Sequence, residues 1–115
     1  MKLIIAGSRT ATDYQDLLDA IKYFGLAQDI TEIVSGTAKG ADTLGERYAK
    51  ENKIKLTRMP ADWDTYGKSA GPIRNGKMVE YSEGLLALWD KKSKGTKNCV
   101  ELAEESNLRV YVYKI

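Results

Sequence analysis

The chain has 115 residues, 43% of them hydrophobic and 30% charged, with a formal net charge of +2 at pH 7. That length suits one small domain, the composition is that of a globular rather than a disordered chain, and the charge alone does not argue for nucleic acid. A single cysteine excludes an internal disulfide framework and fits a reducing compartment, and the absence of histidine removes the commonest general base and metal ligand.

No stretch approaches the roughly 18 apolar residues of a membrane span. The apolar start, Met1 to Gly7, is too short for a signal peptide. A cytoplasmic chain with no membrane partner is expected. Lys2 to Ala6 reads as a buried strand ending at Gly7, and Thr12 or Asp13 caps a helix through about Phe24. Its apolar face carries Leu17, Leu18, Ile21 and Phe24, and Gly25 stops it. Ile30 to Ser35 is the second strand, and a helix follows over Ala41 to Asn52. Ile54 to Met59 is the third strand and stops at Pro60. Ala61 to Gly71 is irregular or holds a short helical turn. Pro72 suits a first helical residue, ahead of Ile73, Met78 and Tyr81. Gly84 to Trp89 is the fourth strand, Gly95 to Ser106 the last helix, and Arg109 to Lys114 the final strand. Strands alternating with helical crossovers predict an α/β fold: a Rossmann-like, doubly wound, parallel five-stranded sheet in the order 3-2-1-4-5. Residues 1–115 form one domain, with no linker or internal repeat.

Four loops then fall at the carboxyl edge of the sheet, where open α/β sheets bind ligands. The most informative is Ser35 to Asp42, in which Gly36 and Gly40 let backbone approach a ligand, Lys39 supplies charge and the next helix presents its N-terminus. The natural guest is a phosphate or other anion; the alternative is a plain strand-to-helix turn, with Asp42 complementing the helix dipole. The segment lacks the Gly-Lys-Ser/Thr ending of a Walker A loop and is not Gly-x-Gly-x-x-Gly. In the first loop, Gly7, Ser8 and Arg9 offer a hydroxyl and a guanidinium, or simply a tight turn and a surface arginine. In the third, Asp62 and Trp63 put an aromatic beside charge, to stack a base or to cover the core's end. Arg74 and Asn75 open the next helix, Arg74 as an anion clamp or a solvated cation. The fourth loop holds Asp90, and Gly95 and Thr96 offer N–H groups at a helix start. From Lys68 to Lys97 there are seven basic residues and three acidic ones, a field that favours phosphates, although Lys91, Lys92 and Lys94 equally suit a solvated loop. Cys99 sits on an apolar stripe and reads as core. No metal-ligand spacing is visible.

Taken together, Gly7-Ser8-Arg9, Ser35-Gly36-x-Ala38-Lys39-Gly40-Ala41-Asp42, Pro60-Ala61-Asp62-Trp63, Tyr66-Gly67-Lys68-x-Ala70-Gly71-Pro72-Ile73-Arg74-Asn75 and Trp89-Asp90-x-x-Ser93-x-Gly95-Thr96-Lys97-Asn98 resemble the SLOG superfamily, and in particular its small bacterial and phage members. The resemblance covers nearly the whole chain. It implies a Rossmann-like fold that binds a nucleotide or nucleotide-derived ligand such as an ADP-ribose-type molecule. No cofactor is expected, and a homo-oligomer is expected because so small a chain leaves sheet edges or helix faces exposed and SLOG relatives commonly pair. Relatives include a DNA-uptake protein that binds single strands, cytokinin-activating phosphoribohydrolases and sensors of ADP-ribose-type signals. Two departures stand out. Thr37 replaces an expected glycine. The hydrolases carry Pro-Gly-Gly-x-Gly-Thr-x-x-Glu and an arginine on the preceding helix; Arg74 and Gly95-Thr96 match, but Cys99 falls on the glutamate and Trp89-Asp90-Lys91 on the Pro-Gly-Gly. The resemblance therefore points to binding, as sensing or sequestration, ahead of hydrolysis. A hydrolase would need Arg74 and a substitute carboxylate such as Asp90 or Glu46. Single-stranded nucleic acid is a further alternative.

Overall fold

The computed structural model describes residues 1–115. Two apolar runs, Leu3–Ala6 and Leu85–Leu88, are buried on both faces, as the interior strands of a parallel sheet must be. They form the adjacent central strands β1 (Lys2–Gly7) and β4 (Gly84–Trp89). Around them the chain builds α1 (Tyr14–Tyr23), β2 (Glu32–Ser35), α2 (Ala41–Glu51), β3 (Lys55–Arg58), α3 (Trp63–Tyr66), α4 (Ala70–Tyr81), α5 (Lys94–Glu105) and β5 (Arg109–Lys114). All pairings are parallel and the order is β3-β2-β1-β4-β5, as the alternation predicts.

Side chains alternate across the sheet and feed two cores. On one face Leu3, Ile5, Ile33, Leu86 and Leu88 meet Leu17 and Ile21 of α1 and Leu44 and Tyr48 of α2. On the other, Ile4, Ala6, Val34, Leu85 and Ala87 meet Met78 and Val79 of α4 and Cys99, Val100 and Ala103 of α5. Truncating one of these large buried side chains to Ala costs about 2–5 kcal/mol. At the amino-terminal end of the sheet, buried Glu32 accepts from Thr57 Oγ1 at 2.6 Å and from the Tyr81 hydroxyl. These bonds, with Lys55 nearby, hold its carboxyl below its usual range.

β2 begins at Glu32 rather than Ile30, β3 spans Lys55–Arg58 rather than Ile54–Met59, and α4 and α5 start earlier than the sequence suggests, whereas the short helical turn expected within Ala61–Gly71 is present. The Ala61–Gly71 stretch contains α3, capped by Asp62 accepting from the Thr65 amide at 3.1 Å, and a 3₁₀ turn over Gly67–Ser69. That turn feeds α4 two residues before Pro72. The proline stays in the first helical turn, where its missing N–H has no partner to lose. The last helix starts at Lys94, with Ser93 as its N-cap.

Candidate functional site

At β1 and β4 the chain connections diverge, and the loops leaving their carboxyl ends frame an open cleft of about 870 Å³. Two glycines close the frame. A Cβ on Gly7 would run into the Leu88 carbonyl. Gly40 adopts φ 84°, and a Cβ there would meet the Ser8 carbonyl, so the first and second loops pack backbone to backbone. Ser8 ties this junction to the fourth loop. It is 1% exposed, and its Oγ accepts from the Asp90 amide at 3.0 Å. Asp90 in turn spends its carboxylate on the Lys92 amide (2.8 Å), the Ser93 amide (3.0 Å) and the Thr10 hydroxyl (3.3 Å). The Lys92 amide, then the Ser8 hydroxyl and the Ser93 amide, hold its pKa down at about 2. Ser35 Oγ donates to Glu46 at 2.6 Å and accepts from the Thr37 amide at 3.0 Å.

Ten of the residues singled out from sequence line the cleft: Gly7, Arg9, Gly36, Lys39, Asp42, Trp63, Arg74, Asn75, Gly95 and Thr96. Ser8, Ser35, Gly40, Asp62 and Asp90 stand behind it, holding the loops and caps just described. Asp90 and Glu46, the expected substitute carboxylates, are both outside the lining, and Glu46 faces Arg58 at 3.4 Å. Lys94, Asn98 and Cys99 line the cleft without a ligand role expected from sequence, and Thr37, which replaces an expected glycine, lines it too. For Lys94 and Asn98 the usable signal was Ser93 as an N-cap. It makes Lys94 the first helical residue and puts Asn98 one turn later.

Arg74, Asp42 and Cys99 build the floor. Arg74 donates through Nη1 to the Gly36 carbonyl at 2.5 Å and through Nε to Asn75 Oδ1 at 2.9 Å. Buried Asn75 donates onward to Asn98 Oδ1 at 3.0 Å, tying α4 to α5. Gly36 is glycine for space: a Cβ would stand 2.7 Å from Arg74 Nη1 and 2.9 Å from Asp42 Oδ2. Asp42 Oδ2 accepts from the Ala38 amide at 3.1 Å. Burial nevertheless pushes the Asp42 carboxyl up to about 6, against the lowering by the Ala38 amide and Arg74. Burial, with the charge of Asp42 adding to it, pushes the Cys99 thiol up to about 12, so it stays a neutral thiol.

Two features expected to offer free N–H groups are partly used by the protein itself. The Ala38 amide is engaged by Asp42, and the Thr96 amide donates to Ser93 Oγ at 3.2 Å. The rim is cationic: Arg9, Lys39, Arg74 and Lys94 line the cleft against the single carboxylate of Asp42. Trp63, 56% exposed, lies over Gly71 at one side. No three His, Cys, Asp or Glu side chains stand together as a metal site. No helix is long and apolar enough to cross a membrane.

Residues 1–66 match the model of the YspA, cpYpsA-related SLOG family. The Gene 61 protein of Mycobacterium phage D29 is 31% identical over 121 residues, an alignment covering 95% of this chain and 93% of the phage protein. The chain belongs to the YspA, cpYpsA-related SLOG family. The solved structure of DNA processing protein A (DprA) from Streptococcus pneumoniae superposes on this SLOG chain with a TM-score of 0.74 at 22% identity. The superposition covers 96% of this chain and 49% of that one, so the SLOG chain spans about half the length of the DprA structure. The shared feature is the Rossmann-like fold.

Proposed function

We propose that the cleft binds a nucleotide or nucleotide-derived anion, in the service of sensing or sequestering it. One observation carries this reading: four cations and one carboxylate line a cleft at the carboxyl edge of a parallel sheet. Arg9, Lys39 and Lys94 face the phosphates, and Arg74 clamps them from the floor. The Trp63 ring lies along the base. Ser93, Thr96 and Asn98 supply hydroxyls and an amide for the sugar. Membership of a SLOG family supports the ligand class.

Isothermal titration against a nucleotide panel, including cyclic and ADP-ribose-type compounds, tests this. Saturable binding is expected. Arg74→Ala removes a charge-assisted contact and weakens it by roughly ten- to a hundredfold. No heat with any member of the panel sinks the reading. Hydrolysis of the ligand has little support, because a neutral thiol at position 99 cannot stabilise a developing positive charge. Single-stranded nucleic acid is the second reading. Trp63 on the cleft wall and Tyr66, three residues on in α3, are 56% and 44% exposed, aromatic surface of the kind on which bases stack. It predicts a polarisation change with labelled single strands at low salt, and a flat signal dismisses it.

A further inference from the structure

We infer that the cleft takes up its anion together with a proton, which is held on the carboxyl of Asp42. The inference rests on the anion-binding reading above and concerns the charge state in which that site binds.

The geometry sets a conflict. Asp42 is the only carboxylate among the lining residues and is 5% exposed, at the start of α2. Its Oδ2 and the Arg74 guanidinium crowd the same space above Gly36. Arg74 favours the charged carboxyl from a distance but forms no ion pair with it: Nη1 is committed to the Gly36 carbonyl and Nε to Asn75, and burial outweighs its pull. An anion drawn in by Arg74 and the rim cations therefore meets a buried like charge on the floor.

Protonation resolves the conflict with one proton from solvent and no other bond change. Oδ2 keeps the Ala38 amide, while the other oxygen becomes an O–H donor to the incoming anion, the role a neutral carboxyl plays where a site suppresses its ionisation. The groups facing Asp42 leave it as the titrating partner. They are Arg74 from α4, Cys99 from α5 and Glu46 further along α2, with the cations Arg9, Lys39 and Lys94 elsewhere on the cleft lining. Arginines and lysines stay charged near neutrality. The thiol, pushed up to about 12, stays neutral, and Glu46 is held by Ser35 and Arg58 outside the cleft. The chain has no histidine. The position of the Asp42 carboxyl, at about 6, puts its protonation within reach at neutral pH.

Inorganic sulfate is the probe, because it does not itself titrate between pH 5 and 8. Calorimetry on the wild-type protein, in buffers of different ionisation enthalpy, reads affinity and proton uptake together. The dissociation constant should fall about tenfold from pH 7 to pH 5, following the protonated fraction of the carboxyl. Uptake should approach one proton per sulfate at pH 7 and vanish toward pH 5. Asp42→Asn should bind sulfate at pH 7 as tightly as the wild type does at pH 5, without proton uptake. Should that variant fail to fold, the wild-type proton count alone decides. Sulfate binding with equal affinity at both pH values and no uptake overturns the inference and leaves the anion site standing. Absence of sulfate binding at every pH overturns the inference, while the nucleotide panel decides the anion-binding reading separately.

Discussion

At Gly36 the molecule has no spare volume. A methyl there would stand 2.7 Å from Arg74 Nη1 and 2.9 Å from Asp42 Oδ2, so Gly36→Ala must displace the clamp or the carboxyl. We expect at least a tenfold loss of nucleotide affinity by calorimetry with only about 1 kcal/mol lost from chemical unfolding, since the loop lies outside the two cores. Thr37 presents the opposite case. It is β-branched yet held at φ 63°, a conformation that costs of order 1 kcal/mol or more. Thr37→Gly should raise the urea midpoint by the equivalent of about 1 kcal/mol, and an unchanged or lower midpoint refutes the strain. Most residues at the cleft were legible because glycines, a lysine and an arginine follow apolar strands. The division of labour among them was not. Whether Ser8 binds or braces depends on Asp90, 82 positions away, and Arg74 finds its carbonyl partner 38 positions back. Such partners exist only after folding.

At the scale of elements, α5 is fixed by Ser93. Its Oγ accepts from the Thr96 amide at 3.2 Å, and the Thr96 hydroxyl donates back at 2.9 Å. Ser93→Ala should cost about 1 kcal/mol. Hydrogen exchange should then accelerate at the first turn of α5 while β1 and β4 stay protected. Uniform acceleration across the sheet would mean that the cap matters only to global stability. The strands were readable because buried runs such as Leu85–Leu88 carry no polar residue, and their order follows from right-handed crossovers. The entry to α4 was harder to read. Trp63–Tyr66 is four residues long with no buried side chain, so it leaves no periodic apolar trace. The 3₁₀ turn that advances α4 to Ala70 depends on burying Ala70 and Gly71 against the fold rather than on local propensity.

For the molecule as a whole, Asp42 also links folding to pH. Its carboxyl moves from 3.8 in the unfolded chain to about 6 in the fold. The unfolded chain therefore releases this proton first, and the folded state loses stability as pH rises from about 4 to 6, by about 3 kcal/mol at most. Below pH 4 the penalty is absent. Asp42→Asn should therefore unfold at a higher temperature than the wild type at pH 7 and gain nothing at pH 4; an equal difference at both pH values excludes the linkage. Asp90 acts in the opposite direction. Held down at about 2, it contributes stability above pH 4 that is lost as the pH falls through 2. The positions of the two tryptophans have a practical consequence. Trp63 stands exposed on the cleft wall, and Trp89 donates from Nε1 to the carbonyl of Ser93, the N-cap of α5, at 3.1 Å. One indole therefore lines the opening, and the other is tied to the cap of the helix whose first turn borders it. The protein is in effect labelled by its own sequence: a stacked base should quench the red-shifted emission of Trp63, while a shift in the Trp89 band reports movement of the α5 cap, so occupancy and rearrangement have separate optical signatures.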